Sequence, residues 1–159
     1  MPKLKLLNES YYGEGTLKRV VDYVTRLAIV GGINVDPDHA VSQMLLIKKI
    51  WHKQGGRQVR HFILSFADNE ALTIDEAMDY GQQIAMYYGR NYQIVYGVHY
   101  DTNHLHLHFA FNSVSFVDGK MYSGGRSDMF ALRLYIQSLM PQWYVQPVTD
   151  EKSETPGTF

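Results

Sequence analysis

The chain contains no cysteine, which excludes disulfides and thiolate metal sites. It has no run of about 18 apolar residues, so no transmembrane helix is expected. Its first residues, Met1-Pro-Lys-Leu-Lys-Leu-Leu-Asn-Glu9, are charged early and lack the apolar stretch of a signal peptide. These absences fit a cytoplasmic protein. Nor does one sign of charge dominate. Fifteen Lys and Arg against 16 Asp and Glu leave a net charge of −1, little for bulk attraction to nucleic acid. Glycine-rich phosphate loops, Ser-His-Asp arrangements and His-Glu-x-x-His helices are also missing. No repeat, linker or low-complexity block divides the 159 residues. One domain over 1–150 is expected, with a frayed polar tail at 151–159.

What is present is histidine, concentrated. Four of seven lie at 99, 104, 106 and 108, and His104 to Phe111 alternates with apolar residues. Successive strand side chains point to opposite faces. A strand here would set His104, His106 and His108 on one face and Leu105, Leu107 and Phe109 in the core. A lone strand histidine is usually just solvated or hydrogen-bonded. Several imidazoles crowded on one face repel when charged, and a cation is the simplest compensation. His106 and His108 form the core pair, with His99 or His104 as third ligand. A ligand from a second strand encloses an ion better, which favours His99. Three imidazoles suit zinc, manganese, cobalt or nickel, and three protein ligands leave a position open, as catalytic sites do. Asp101 is near enough to orient a ligand histidine, or it simply forms the turn.

Around this stretch the periodicities predict an α+β domain, a central antiparallel sheet with helices packed on its face. The expected order is a strand at 3–7, a helix capped by Thr16 and running to Leu27, and a helix over 39–53. A strand over 58–67 follows, then a helix opened by Thr73 and Glu76 as a capping box, strands over 92–100 and 104–112, a helix over 128–139 and a last short strand over 143–148. Gly31 and Gly32 read as the stop of the first helix, and residues 116 and 121 as flanks of a further hairpin. Lys48, Lys49, His52, Lys53, Arg57, Arg60 and His61 form a basic segment that either tracks a phosphate backbone or is a solvated face.

Three blocks carry a family resemblance. His99-Tyr-Asp101-Thr102, followed by Leu105-His106-Leu-His108 and Asn112, resembles the third motif of relaxases, the mobilisation nucleases of conjugative plasmids and transposons. Arg60-His61-Phe-Ile-Leu-Ser65-Phe66 resembles their second motif. Leu17-Lys-Arg-Val-Val-Asp-Tyr23-Val resembles the first, whose tyrosine is the nucleophile. The resemblance implies a His-hydrophobic-His endonuclease-like fold and a divalent ion on His99, His106 and His108. Manganese or magnesium is expected there, with zinc, cobalt or nickel also suited. It further implies that Tyr23 attacks a phosphodiester of single-stranded DNA at an origin of transfer, leaving a 5′-phosphotyrosyl link and a free 3′-hydroxyl. Asp101 is the expected assisting group, with His61 a second candidate. His61, Ser65 and Asn112 would support the site or touch DNA, and Lys48, Lys49, Arg57 and Arg60 would contact the backbone. Origin DNA, accessory relaxosome proteins and coupling proteins are the expected partners.

Two rival readings are kept. A single-tyrosine transposase of the same superfamily would use a tyrosine on a late helix, here Tyr135. A metal-containing DNA-binding module would bind DNA without any covalent step.

Overall fold

The computed structural model describes residues 1–7, 11–13, 15–26, 29–99 and 104–148. Six strands form one sheet: β1 (Lys3–Leu7), β2 (Ile29–Ile33), β3 (Val59–Ser65), β4 (Ile94–His99), β5 (His106–Asn112) and β6 (Gln146–Val148). Their spatial order is β2-β4-β5-β3-β1-β6. Every pairing is antiparallel except β1 with β6. Four helices cover it: α1 (Thr16–Thr25), α2 (Ala40–Ile50), α3 (Ile74–Gly89) and α4 (Arg126–Leu139).

Alternation along β3, β4 and β5 produces two cores. Phe62, Leu64, Ile94, Tyr96, Val98, Leu107, Phe109 and Phe111 face one way and pack with Ile84, Ala85, Leu132 and Ile136 of α3 and α4. Val59, Ile63, Val95 and Ala110 face the other way, under Leu17, Val20, Val21 and Val24 of α1 and Met44 of α2. Each fully buried side chain of this size contributes roughly 1.5–3 kcal/mol. The same alternation sends His61, His99, His106 and His108 to the α1 side.

The architecture expected from periodicity is present, with local corrections. Gly31 and Gly32 do not stop a helix; they lie inside β2, the edge strand paired with β4. A Cβ on Gly31 would fall 2.3 Å from the Tyr96 ring, and one on Gly81 of α3 would fall 2.9 Å from it. The glycines make room for that ring between strand and helix. Thr16 is inside α1, and Gly15, at φ 78°, is its cap residue. The Thr16 hydroxyl donates back to Tyr12 O at 2.7 Å. The α1 helix ends at Thr25, since Arg26 is extended, and Leu27 lies outside the described residues. Thr73 does cap α3, accepting from Glu76 N. The expected hairpin around 116–121 is reduced to one bridge, Val114 to Met121. No described helix is long and apolar enough to cross a membrane. The expected tail, 151–159, lies outside the described residues.

Candidate active site

Strands β4 and β5 place His99 directly opposite His106, and Gly97 opposite His108. On the other side β3 places Ser65 opposite His106 and Ile63 opposite His108. His99 and His108 stack at 4.0 Å between centroids, and His106 lies 5.9 Å from His108. His104 is not with them. The strand begins only at His106, and His104 instead reaches Asp68, 3.1 Å from its Oδ1.

The hydrophobic stripe of α1 anchors that helix over the histidine face, and Tyr23 sits at the stripe's edge. Its ring centroid is 5.4 Å from that of His108, 5.7 Å from His99 and 6.0 Å from His61. The Arg26 guanidinium lies 5.6 Å from the Tyr23 ring. Tyr135, the alternative tyrosine, is on α4 across the sheet, where its hydroxyl donates to Gln83 O at 2.6 Å. Asp101 lies outside the described residues.

Burial is what sets the charge of this cluster. It pushes the His108 pKa down to about 2, with repulsion from His99, His61 and His106 adding to the effect. His61 is pushed down to about 3 by burial, then by His99 and Arg19. Both rings are therefore neutral near pH 7, and each keeps a lone pair. His61 Nε2 and His108 Nδ1 are 3.4 Å apart, and the Tyr11 hydroxyl is 3.4 Å from His61 Nδ1. Tyr11, 3% exposed, escaped the sequence reading as a site residue because nothing in its local pattern marks it. Only the fold brings it beneath His61.

Neutral imidazoles without thiolates are a donor set that suits a divalent transition ion. Among the described residues, however, no three His, Asp or Glu side chains surround a common point. The His99 Nε2–H donates to Val24 O at 2.8 Å while its ring stacks on His108. That tautomer leaves the His99 lone pair on Nδ1. The residues fit a metal by chemistry and by shared face, with His99 turned toward α1.

The expected DNA-contacting residues divide. Lys48 is 1% exposed, and its ammonium donates to Gln58 O (2.8 Å), Asn112 Oδ1 (2.7 Å) and Ser113 Oγ (3.0 Å). Asn112 is wholly buried and donates to Met44 O and Gln93 Oε1. These two tie α2 to the end of β5 and present nothing to DNA, which corrects that part of the sequence reading. The basic segment is therefore not one stripe. Lys49 is exposed, Arg57 lies over the Tyr12 ring at 5.7 Å, and Arg60 faces the α3–α4 side.

Known proteins place the chain. Residues 16–142 match the family described as "Relaxase: MobA/VirD2-like, nuclease domain". The protein Rlx of Staphylococcus aureus is 27% identical over 116 residues, 72% of this chain and 35% of Rlx. The group II intron-interrupted relaxase LtrB of Lactococcus lactis subsp. cremoris is 35% identical over 63 residues, 39% of this chain and 11% of LtrB. The chain thus spans about a third of Rlx and less of LtrB. In fold it is similar to the MobM relaxase domain solved with a 26-nucleotide pMV158 oriT DNA, at a TM-score of 0.60 and 13% identity, covering 100% of this chain and 94% of that one. With the family match running from α1 through α4 and spanning all three motif blocks, the chain belongs to the MobA/VirD2-like relaxases, as a nuclease domain.

Proposed function

We propose that this domain nicks and rejoins single-stranded DNA at an origin of transfer, with Tyr23 as nucleophile. The observation that carries the reading is the set of three histidine rings within 6.0 Å of the Tyr23 ring, on the face that α1 covers. In the proposed step Tyr23 Oη forms a bond to the phosphorus, the bond from phosphorus to O3′ breaks, and the 3′-oxygen leaves as a hydroxyl once protonated. The 5′-phosphate stays on the tyrosine, so the phosphodiester energy is kept for rejoining.

Free tyrosine has a pKa near 10, so the phenol needs a base. His61 and His108, held neutral far below pH 7, are poor proton acceptors and good lone-pair donors. Asp101 keeps the role of base in this reading. His99, His106 and His108 would hold a divalent cation, manganese or magnesium first. When bound, such an ion withdraws charge from the phosphoryl oxygens and favours the phenolate. His61, with Tyr11 behind it, steadies the His108 ring through its Nδ1 side. The Arg26 guanidinium by the Tyr23 ring adds a fixed positive charge. Work on DNA implies a cytoplasmic setting, with relaxosome and coupling proteins as partners.

Cleavage of a labelled single-stranded origin oligonucleotide tests this. We expect product with Mn²⁺, none with EDTA, and a loss of at least about 100-fold in His106→Ala. His106 is only half-buried, so that variant keeps its fold. Undiminished cleavage by His106→Ala would remove the metal site from the account.

A further inference from the structure

A cavity of about 240 Å³ opens on the α3–α4 side of the sheet, and of the four clustered histidines only His61 is among its lining residues. Its walls include Phe62, Tyr88, Phe111 and Tyr122, and Arg60 and Arg126 line it from β3 and the start of α4. Arg60 is half-buried, with its guanidinium 4.9 Å from the Tyr122 ring centroid. Its Nε is sealed from solvent and meets no hydrogen-bond acceptor among the described residues. Burial, then repulsion from Arg57, lowers its pKa. A buried donor on a cation with no acceptor is costly, and native structures seldom leave one without a reason. The nearby carboxylate of Asp128 is already engaged, accepting from the Tyr88 hydroxyl at 2.8 Å and from the Tyr122 hydroxyl. Arg126 is exposed at the first turn of α4, where Gly125 offers no side chain to cap the helix amides.

We propose that this cavity seats a phosphodiester group of single-stranded DNA, gripped by Arg60 and Arg126, as a second anchor outside the cleavage site. The proposal rests on the DNA-nicking reading and adds where the strand runs. A guanidinium fork matches two phosphate oxygens, and an aromatic wall beside it suits the attached sugar and base. Arg60 and His61 are consecutive in β3, one on each face. A strand passing the end of β3 could therefore reach both sites.

The test is fluorescence anisotropy of a labelled single-stranded origin oligonucleotide across a NaCl series. Wild type, Arg60→Met and Arg126→Gln are compared, with thermal melting of each. Each variant should bind several-fold more weakly at about 0.1 M salt and lower the log–log salt slope by about 0.7. In a second arm, inorganic phosphate and dTMP at millimolar concentration should leave melting of the wild type nearly unchanged. Slopes equal to wild type in Arg126→Gln, which sits at an exposed position and keeps its fold, would overturn the proposal while covalent nicking stood. Strong thermal protection by phosphate or dTMP, with unaltered DNA slopes, would overturn it in favour of a free-anion site. A wild type that binds no single-stranded DNA would take down the functional reading and this one together.

Discussion

Lys48 stands in an environment at odds with its charge, 1% exposed. An ammonium group is fully enclosed, with two carbonyl-type oxygens and a hydroxyl as partners. Burial lowers its pKa to about 8, against an ordinary value of 10.5. Between these values the unfolded chain holds a proton that the folded chain has released, so stability rises as pH climbs from 8 toward 10.5. Lys48→Met should remove that rise and cost about 1–3 kcal/mol at pH 7, since Asn112 Oδ1 and Gln58 O lose a donor. Urea unfolding at pH 7 and pH 9.5 measures both effects. Equal pH dependence in wild type and variant would contradict the assignment. The sequence showed Lys48 only as one cation in a basic run. Nothing local distinguishes it from exposed Lys49, because its partners come from residues 58, 112 and 113.

At the scale of elements, legibility followed pattern strength. The alternation of β3 and β5 and the Thr73–Glu76 cap were readable because each rests on neighbours within a few residues. The β2 strand was not. Ile29-Val-Gly-Gly-Ile33 carries a glycine pair that locally signals a helix stop, and its real reason is the Tyr96 ring, 65 residues beyond Gly31 in the chain. Gly31→Ala is expected to cost about 1–3 kcal/mol by forcing that ring against α3. The penalty should shrink on a Tyr96→Leu background, as a double-mutant cycle would report. A cost within about 0.5 kcal/mol on the wild-type background would place the ring's room elsewhere.

At the scale of the molecule, the sheet sorts two tasks onto two faces. Its α3–α4 side holds most of the aromatic core. Its α1 side collects four histidines from three strands and lays one helix across them. The shared face of His106 and His108 was legible from spacing, and so was His99 on the neighbouring strand, whereas His104 falls before the strand begins. The placement of Tyr23 beside the histidines was legible only through motif resemblance, because a tyrosine at the edge of an apolar stripe is ordinarily packing. The fold supplies what spacing could not: α1 lies over the histidine face, and α4, with Tyr135, lies behind the sheet. Tyr11 and the turned ring of His99 were not legible, since both depend on contacts between distant segments.

The covalent step is the centre of the account, and one measurement addresses it directly. The protein is incubated with single-stranded origin DNA and Mn²⁺, run on a denaturing gel, and the adduct is mapped by peptide mass spectrometry. Wild type and Tyr135→Phe should form a DNA-linked band with the modification on Tyr23, and Tyr23→Phe should form none. A band that persists in Tyr23→Phe, or that vanishes in Tyr135→Phe alone, would contradict it.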